Sequence, residues 1–322
     1  EAVLRVWNFA EHPLVSKFII LLKPLIKHSM SFYPLGQDGP RCKFLHAGAR
    51  YPRLRPGNKV TPVGSIPVVL HFHGGGFVSG APESHEVYTR HWAKGAGCLV
   101  ISVDYTLAPK KKYPTQTNEC YDVYKWVTNK MKHEFGVTPK RIILAGDSAG
   151  GNLAVSVALK ALQDDIRPVD GLLLSYPVLN LTDTATSSKA IYKDDILLSM
   201  HVLQTVKRLY LSHPDDANEG LCSPAFASDS LLLRLPKNIH IFSAGIDPLL
   251  DDTYEFVHKM RKLGFTESQV TQRIFPSLPH GFFNMVDIPQ AREACRISVK
   301  VLKEMIASES TKDTKKKNRK SQ

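Results

Sequence analysis

The chain has 322 residues, 43% of them hydrophobic and 22% charged, which is the composition of an ordinary globular protein rather than a disordered or fibrous one. Its formal net charge of +12 sits at the ends: residues 1–60 hold ten Lys or Arg against three acids, and residues 307–322 hold six against two. No run reaches the ~18 apolar residues of a membrane span, and the five cysteines, scattered and without a C-x-x-C pair, indicate neither a disulfide framework nor a zinc site.

The chain opens at Glu1 without an initiator Met, as expected of a fragment or processed form. Residues 1 to about 40 carry apolar residues at helical spacing without a strand, so residues 1–60 read as a helical segment contributing to a cap. Within it the stripe 14–26 reads as a lid helix over a pocket, with a membrane-surface anchor as the competing reading.

From residue 61 short apolar runs alternate with helical patterns. Strands are predicted over 68–72, 99–104, 141–145, 171–176, 240–244 and 270–275, and helices over 84–94, 116–133, 148–162, 249–263 and 289–306. That alternation predicts an α/β fold with a mostly parallel central sheet flanked by helices over 61–306. One stretch breaks the rhythm: residues 180–235 are too long for a crossover, and a structureless loop of that length is improbable, so they are expected to form a helical cap insertion. Residues 307–322 read as a basic flexible tail. The pattern Asn180-Leu181-Thr182, a glycosylation acceptor triplet, is set aside as compositional.

Two glycine-rich stretches punctuate the strands. Gly146-Asp147-Ser148-Ala149-Gly150 is a G-x-S-x-G elbow lying between a strand and a helix, where its small residues let the two approach. A serine hydroxyl needs a base within hydrogen-bond reach and a third group to orient that base. Asp247 and His280 follow in chain order, each just past a predicted strand, with Asp251 and Asp252 as competitors for the carboxylate better read as helix residues. Upstream, His73-Gly74-Gly75-Gly76 follows a buried strand, where bare backbone N–H groups can meet an oxyanion, completed by the N–H of Ala149. His71 reads as a strand residue with a satisfied ring, and Asp147 as a brace for the elbow.

Together with Ser84-His85-Glu86, Asp104-Tyr105-Thr106-Leu107-Ala108-Pro109, Asp247-Pro248-Leu249 and His280-Gly281-Phe282, these motifs resemble the hormone-sensitive lipase family of α/β-hydrolases over about residues 60–305. Phe-Val and Ser-His-Glu after the glycines look closer to the branch of hormone-sensitive lipase itself than to the arylacetamide deacetylase branch. The resemblance implies an α/β-hydrolase fold with Ser148 as nucleophile, His280 as general base and then acid, and Asp247 as its orienter. It implies Gly74, Gly75 and Ala149 as oxyanion donors, with His73, Gly76, Gly146 and Gly150 in support. Lys110 stands where the family usually has Glu, which puts a supporting ion pair in doubt, and the insertion is too short for a phosphorylated regulatory module.

The expected activity is therefore hydrolysis of acyl esters or acylglycerols by a cytoplasmic enzyme, with no cofactor, no metal and no nucleic-acid partner. Contact with membrane or lipid-droplet surfaces is expected through the basic ends. The alternative is a small-molecule receptor on the same fold, as in the plant gibberellin receptors, which lack the histidine that His280 supplies here.

Overall fold

The computed structural model describes residues 28–46, 63–195 and 197–308. Their organising element is an eight-stranded sheet. The strands are β1 (His28–Phe32), β2 (Arg41–His46), β3 (Gly64–Phe72), β4 (Leu99–Asp104), β5 (Val137–Asp147), β6 (Gly171–Ser175), β7 (Ile239–Ile246) and β8 (Val270–Pro279). Their spatial order is β1-β2-β4-β3-β5-β6-β7-β8. β1 and β2 pair antiparallel, as do β2 and β4, and every pairing from β4 through β8 is parallel.

The central strands are buried on both faces, which is why they read as continuous apolar runs. Val68, Leu70, Phe72, Ile142, Leu144, Leu172 and Leu174 belong to one apolar cluster, with α2 (Thr115–Asn129), α4 (Ala149–Gln163) and α8 (Leu250–Lys262). Val69, Val100, Ile143, Ala145, Leu173 and Phe242 alternate into a second, with α1 (Glu86–Ala96) and α9 (Pro289–Ala307). A short helix, α3 (Met131–Phe135), follows α2 directly.

The expectation of a helical, strand-free N-terminal segment is corrected by β1 and β2. β2 alternates, with Cys42 and Phe44 fully buried while Arg41 and Lys43 reach Glu83 and, from Arg41, Asp104. Two cations in six residues mask a strand whose outward face is charged. The lid stripe 14–26 and the basic tail lie outside the described residues. Between β6 and β7 the chain forms α5 (Ser187–Ile191), α6 (Met200–Tyr210), 3-10 turns at Pro214–Asn218 and Pro224–Phe226, and α7 (Asp229–Leu232).

Strand register brings distant motifs to one level. Phe72 of β3 pairs with Gly146 of β5, so the glycine turn after β3 leaves the sheet beside the elbow after β5. Ile246 of β7 pairs with Pro279 of β8, so the next residues, Asp247 and His280, leave adjacent strands together. All of these sit at the carboxyl ends of parallel strands, and β3 is where the sheet switches direction, with β4 on one side and β5 on the other.

Candidate active site

β5 ends at Asp147 and α4 begins at Ala149, leaving Ser148 alone on the turn with φ 54° and ψ −118°, a strained conformation for a residue with a side chain. The turn closes only around small residues. A Cβ on Gly150 would come within 1.9 Å of the Phe72 carbonyl oxygen, and one on Gly146 within 2.3 Å of Gly150. The Ser148 N–H donates to the Ser175 carbonyl at 2.9 Å, which anchors the elbow to β6.

Ser148, His280 and Asp247, separated by up to 132 positions in the chain, meet here. His280 Nε2 lies 2.9 Å from Ser148 Oγ, and His280 Nδ1 lies 2.8 Å from Asp247 Oδ2. A carboxylate only accepts, so Nδ1 carries the proton and Nε2 turns its lone pair to the serine hydroxyl. Asp247 is held in turn: its Oδ1 accepts the Leu249 N–H at 2.8 Å. Burial alone lowers the pKa of His280, but the charge and hydrogen bond of Asp247 outweigh it and leave the ring more basic than an ordinary imidazole. The competing carboxylates face elsewhere, Asp251 toward Ser188 and Asp252 toward Lys189.

The glycine turn folds as its composition requires. Gly75 has φ +109°, and a Cβ there would meet the Ser79 carbonyl oxygen at 2.2 Å. His73 is buried and stacked on Tyr105 with ring centroids 4.2 Å apart. Burial and the nearby His85 press its pKa down to about 3, so the ring is neutral. Its Nδ1 donates to the Gly74 carbonyl at 2.8 Å and pins the turn.

Gly74 itself requires a correction. Its N–H donates to Asp147 Oδ1 at 2.9 Å, with His85 Nε2 at 3.2 Å, so this amide is already committed and cannot meet an oxyanion. Among the described residues no backbone or side-chain acceptor takes the N–H of Gly75 or Gly76. Ala149, as the first residue of α4, has an N–H without an intrahelical partner.

Asp147 collects a buried proton chain that the motifs alone do not reveal. Tyr88 Oη donates to Asp147 Oδ1 at 2.8 Å, which obliges His71 Nε2 to donate to Tyr88 Oη at 2.8 Å. His71 is neutral under burial, so its Nδ1 accepts from Ser102 Oγ at 2.7 Å. Burial pushes the Asp147 carboxyl up, but the adjacent His85 and the Tyr88 hydrogen bond reverse that and hold it below the usual carboxylate range. Tyr176 is a second addition, packed edge-on against His280 at 4.9 Å. Ser-His-Glu and Asp-Tyr-Thr were visible as motifs, yet only the fold tells which of their side chains turn toward the elbow. Lys110 is exposed, and Glu119 instead supports the loop after β4 by accepting the Thr106 N–H at 2.7 Å.

A cavity of about 490 Å³ has Val178, Leu181, Met200, Leu203, Lys189 and Leu249 among its walls; Ser148, Asp247 and His280 do not line it, and it is joined to them through the backbone of two of its residues. The Val178 N–H donates to the Ser148 carbonyl at 3.1 Å, and Leu249 is the residue that holds Asp247. Among the described residues no group of three or more His, Cys, Asp or Glu is arranged to hold a metal ion, and no helix is long and apolar enough to cross a membrane.

The chain is similar to known proteins in fold and sequence. A family described by its alpha/beta hydrolase fold matches residues 69–284. Over 247 residues the chain is 36% identical to the hormone-sensitive lipase of Ictidomys tridecemlineatus, covering 70% of this chain and 32% of that one. It is 33% identical to esterase LipI of Mycobacterium tuberculosis, covering 71% of this chain and 69% of that one. An esterase structure from Pyrobaculum calidifontis superposes with a TM-score of 0.80 at 31% identity, covering 95% of this chain and 94% of that one. The chain thus spans about a third of the lipase that it matches.

Proposed function

The chain belongs to the hormone-sensitive lipase family of α/β-hydrolases, and from that premise we propose that it hydrolyses carboxylic esters through an acyl-enzyme on Ser148. One observation carries the reading: the continuous hydrogen-bond chain from Ser148 Oγ through His280 to Asp247, beside a turn with uncommitted backbone amides.

In the first half-reaction Ser148 Oγ attacks the ester carbonyl carbon while His280 Nε2 takes the hydroxyl proton. The carbonyl π electrons move to oxygen, and the N–H groups of Gly75 and Ala149, with Gly76 next in the turn, receive that charge. Collapse breaks the bond to the alkoxy oxygen, and His280 returns the proton to the departing alcohol. Water then attacks the acyl-serine, again deprotonated by His280, and the acid leaves as Ser148 recovers its proton. Asp247 holds the imidazole in the required tautomer throughout. The presence and placement of His280 favour this enzyme over a receptor on the same fold.

The test is hydrolysis of p-nitrophenyl esters from acetate to palmitate, with Ser148→Ala alongside. We expect kcat to fall on the order of 10⁶-fold in the variant. Comparable turnover by Ser148→Ala would reject the reading. Acylglycerols are the proposed lipid substrates, and the setting is proposed to be cytoplasmic, at lipid surfaces engaged through the basic ends. Removing residues 309–322 is then expected to weaken binding to phosphatidylserine vesicles at low salt, and unchanged binding would remove the tail from that role.

A further inference from the structure

The turn that carries Asp247 is not held by the sheet alone. It is gripped from above by two consecutive residues of α5, in the segment between β6 and β7. Ser188 Oγ donates to the Pro248 carbonyl at 2.9 Å and accepts the Asp251 N–H at 3.2 Å, while the Ser188 N–H donates to Asp251 Oδ2 at 2.8 Å. Lys189 Nζ lies 2.9 and 3.1 Å from the two oxygens of Asp252 and donates to the Thr184 carbonyl at 3.0 Å. Pro248, Asp251 and Asp252 all follow Asp247 within five positions, so α5 fixes one point of the turn on which that carboxylate stands and two in the first turn of α8 directly behind it.

The ion pair is an expensive way to join two elements. Lys189 is 8% exposed and Asp252 1%, and burying both charges costs about as much as their attraction returns. Burial pushes the Asp252 carboxyl up to about 6 even though Lys189 opposes the rise. An apolar pair would hold α5 to the turn at least as firmly, but without a defined direction. What the lysine and carboxylate add is orientation. Lys189 also lines the cavity of about 490 Å³, together with Leu249, whose N–H holds Asp247 Oδ1. The clamp therefore lies between whatever fills that cavity and the carboxylate that aims His280.

We propose that Ser188 and Lys189 are positioning residues, which hold Asp247 in register with His280 only while α5 is seated on the turn after Asp247 and the start of α8. The inference rests on the ester-hydrolase reading, because the register matters through His280. It makes the seating of this segment a condition for fast chemistry rather than for substrate binding alone.

The experiment compares the whole chain with Lys189→Met/Asp252→Leu, which removes both charges together and strands neither, and with Ser188→Ala. The readouts are kcat and KM on p-nitrophenyl butyrate, the thermal midpoint, and the far-downfield proton resonance of His280 Nδ1–H. In the double variant we expect kcat to fall at least tenfold with KM within about twofold and the midpoint close to that of the parent. The downfield resonance is expected to shift or broaden. Ser188→Ala is expected to lose at least threefold in kcat with the same signature. Parental kcat and an unmoved resonance in the folded variants would overturn the proposal, and if the double variant does not fold, Ser188→Ala decides by itself. Should the parent hydrolyse no ester, the enzymatic reading fails, while the resonance, which needs no substrate, still tests the clamp.

Discussion

In the proposed mechanism His280 accepts the Ser148 proton only while Nε2 is unprotonated, so the pH profile of kcat/KM reports the balance around that ring. Burial lowers its pKa and Asp247 raises it further than burial lowers it. The neutral, active form therefore appears only as pH rises through a value above 6.5, and the ascending limb should lie there. In Asp247→Asn the raising influence is gone and burial remains, so the limb should move to lower pH while the plateau falls by about 10⁴-fold. A limb that stays in place would show that Asp247 does not set the basicity of His280. At this scale the meeting of Ser148, Asp247 and His280 was legible because each stands just past a strand, in a chain order that brings them to one end of the sheet. The fate of the Gly74 amide was not: its acceptor, Asp147, lies 73 positions away, and three glycines in a row look alike until strand register sets one against a carboxylate. His85, Tyr88 and Tyr176 were hidden for the same reason, since their roles depend on which partners the sheet brings beside them.

The central strands were legible because a segment buried on both faces must be apolar throughout, and a turn or a helix start then bounds it. β1 and β2 obey a different rule. They add antiparallel at the edge, where one face packs and the other carries Arg41 and Lys43, and a six-residue alternation with two cations is a faint signal. Their attachment is aromatic. Phe44 is fully buried and stacks on Phe135 of α3 at 5.4 Å, with Phe32 and Trp126 edge-on to it at 6.2 Å each. Phe44→Ala should cost about 3–5 kcal/mol, seen as an earlier denaturant midpoint, because the cavity left among three rings cannot collapse. The Ser148 elbow follows β5, three strands along the sheet from β2, so kcat of the folded fraction should stay unchanged. A variant that loses kcat at full stability would show instead that this edge reaches the site.

The cavity of about 490 Å³ belongs to neither layer alone: the segment between β6 and β7 contributes Val178, Lys189, Met200 and Leu203, and the turn after β7 contributes Leu249. That division explains why substrate range was the part the sequence left open. Motifs specify groups that react, whereas the depth of a pocket follows from how a helix such as α6 lies on the sheet, and no short pattern encodes that. It also makes the pocket adjustable without touching the chemistry. Leu203 is 9% exposed and faces inward with Val202, Val206 and Tyr210, so Leu203→Trp would fill space at the cavity wall and leave the elbow intact. A pocket shortened by three methylenes forfeits about 2.4 kcal/mol of burial, roughly fifty-fold in kcat/KM, for chains that formerly reached its end. Acetate, which never reaches it, should be hydrolysed within about threefold of the parental rate. The optimum of the p-nitrophenyl series should therefore move to shorter chains, with the decline carried by KM. If the profile keeps its shape while every ester slows equally, acyl chains do not occupy this cavity, and the binding path must run along another face of the elbow.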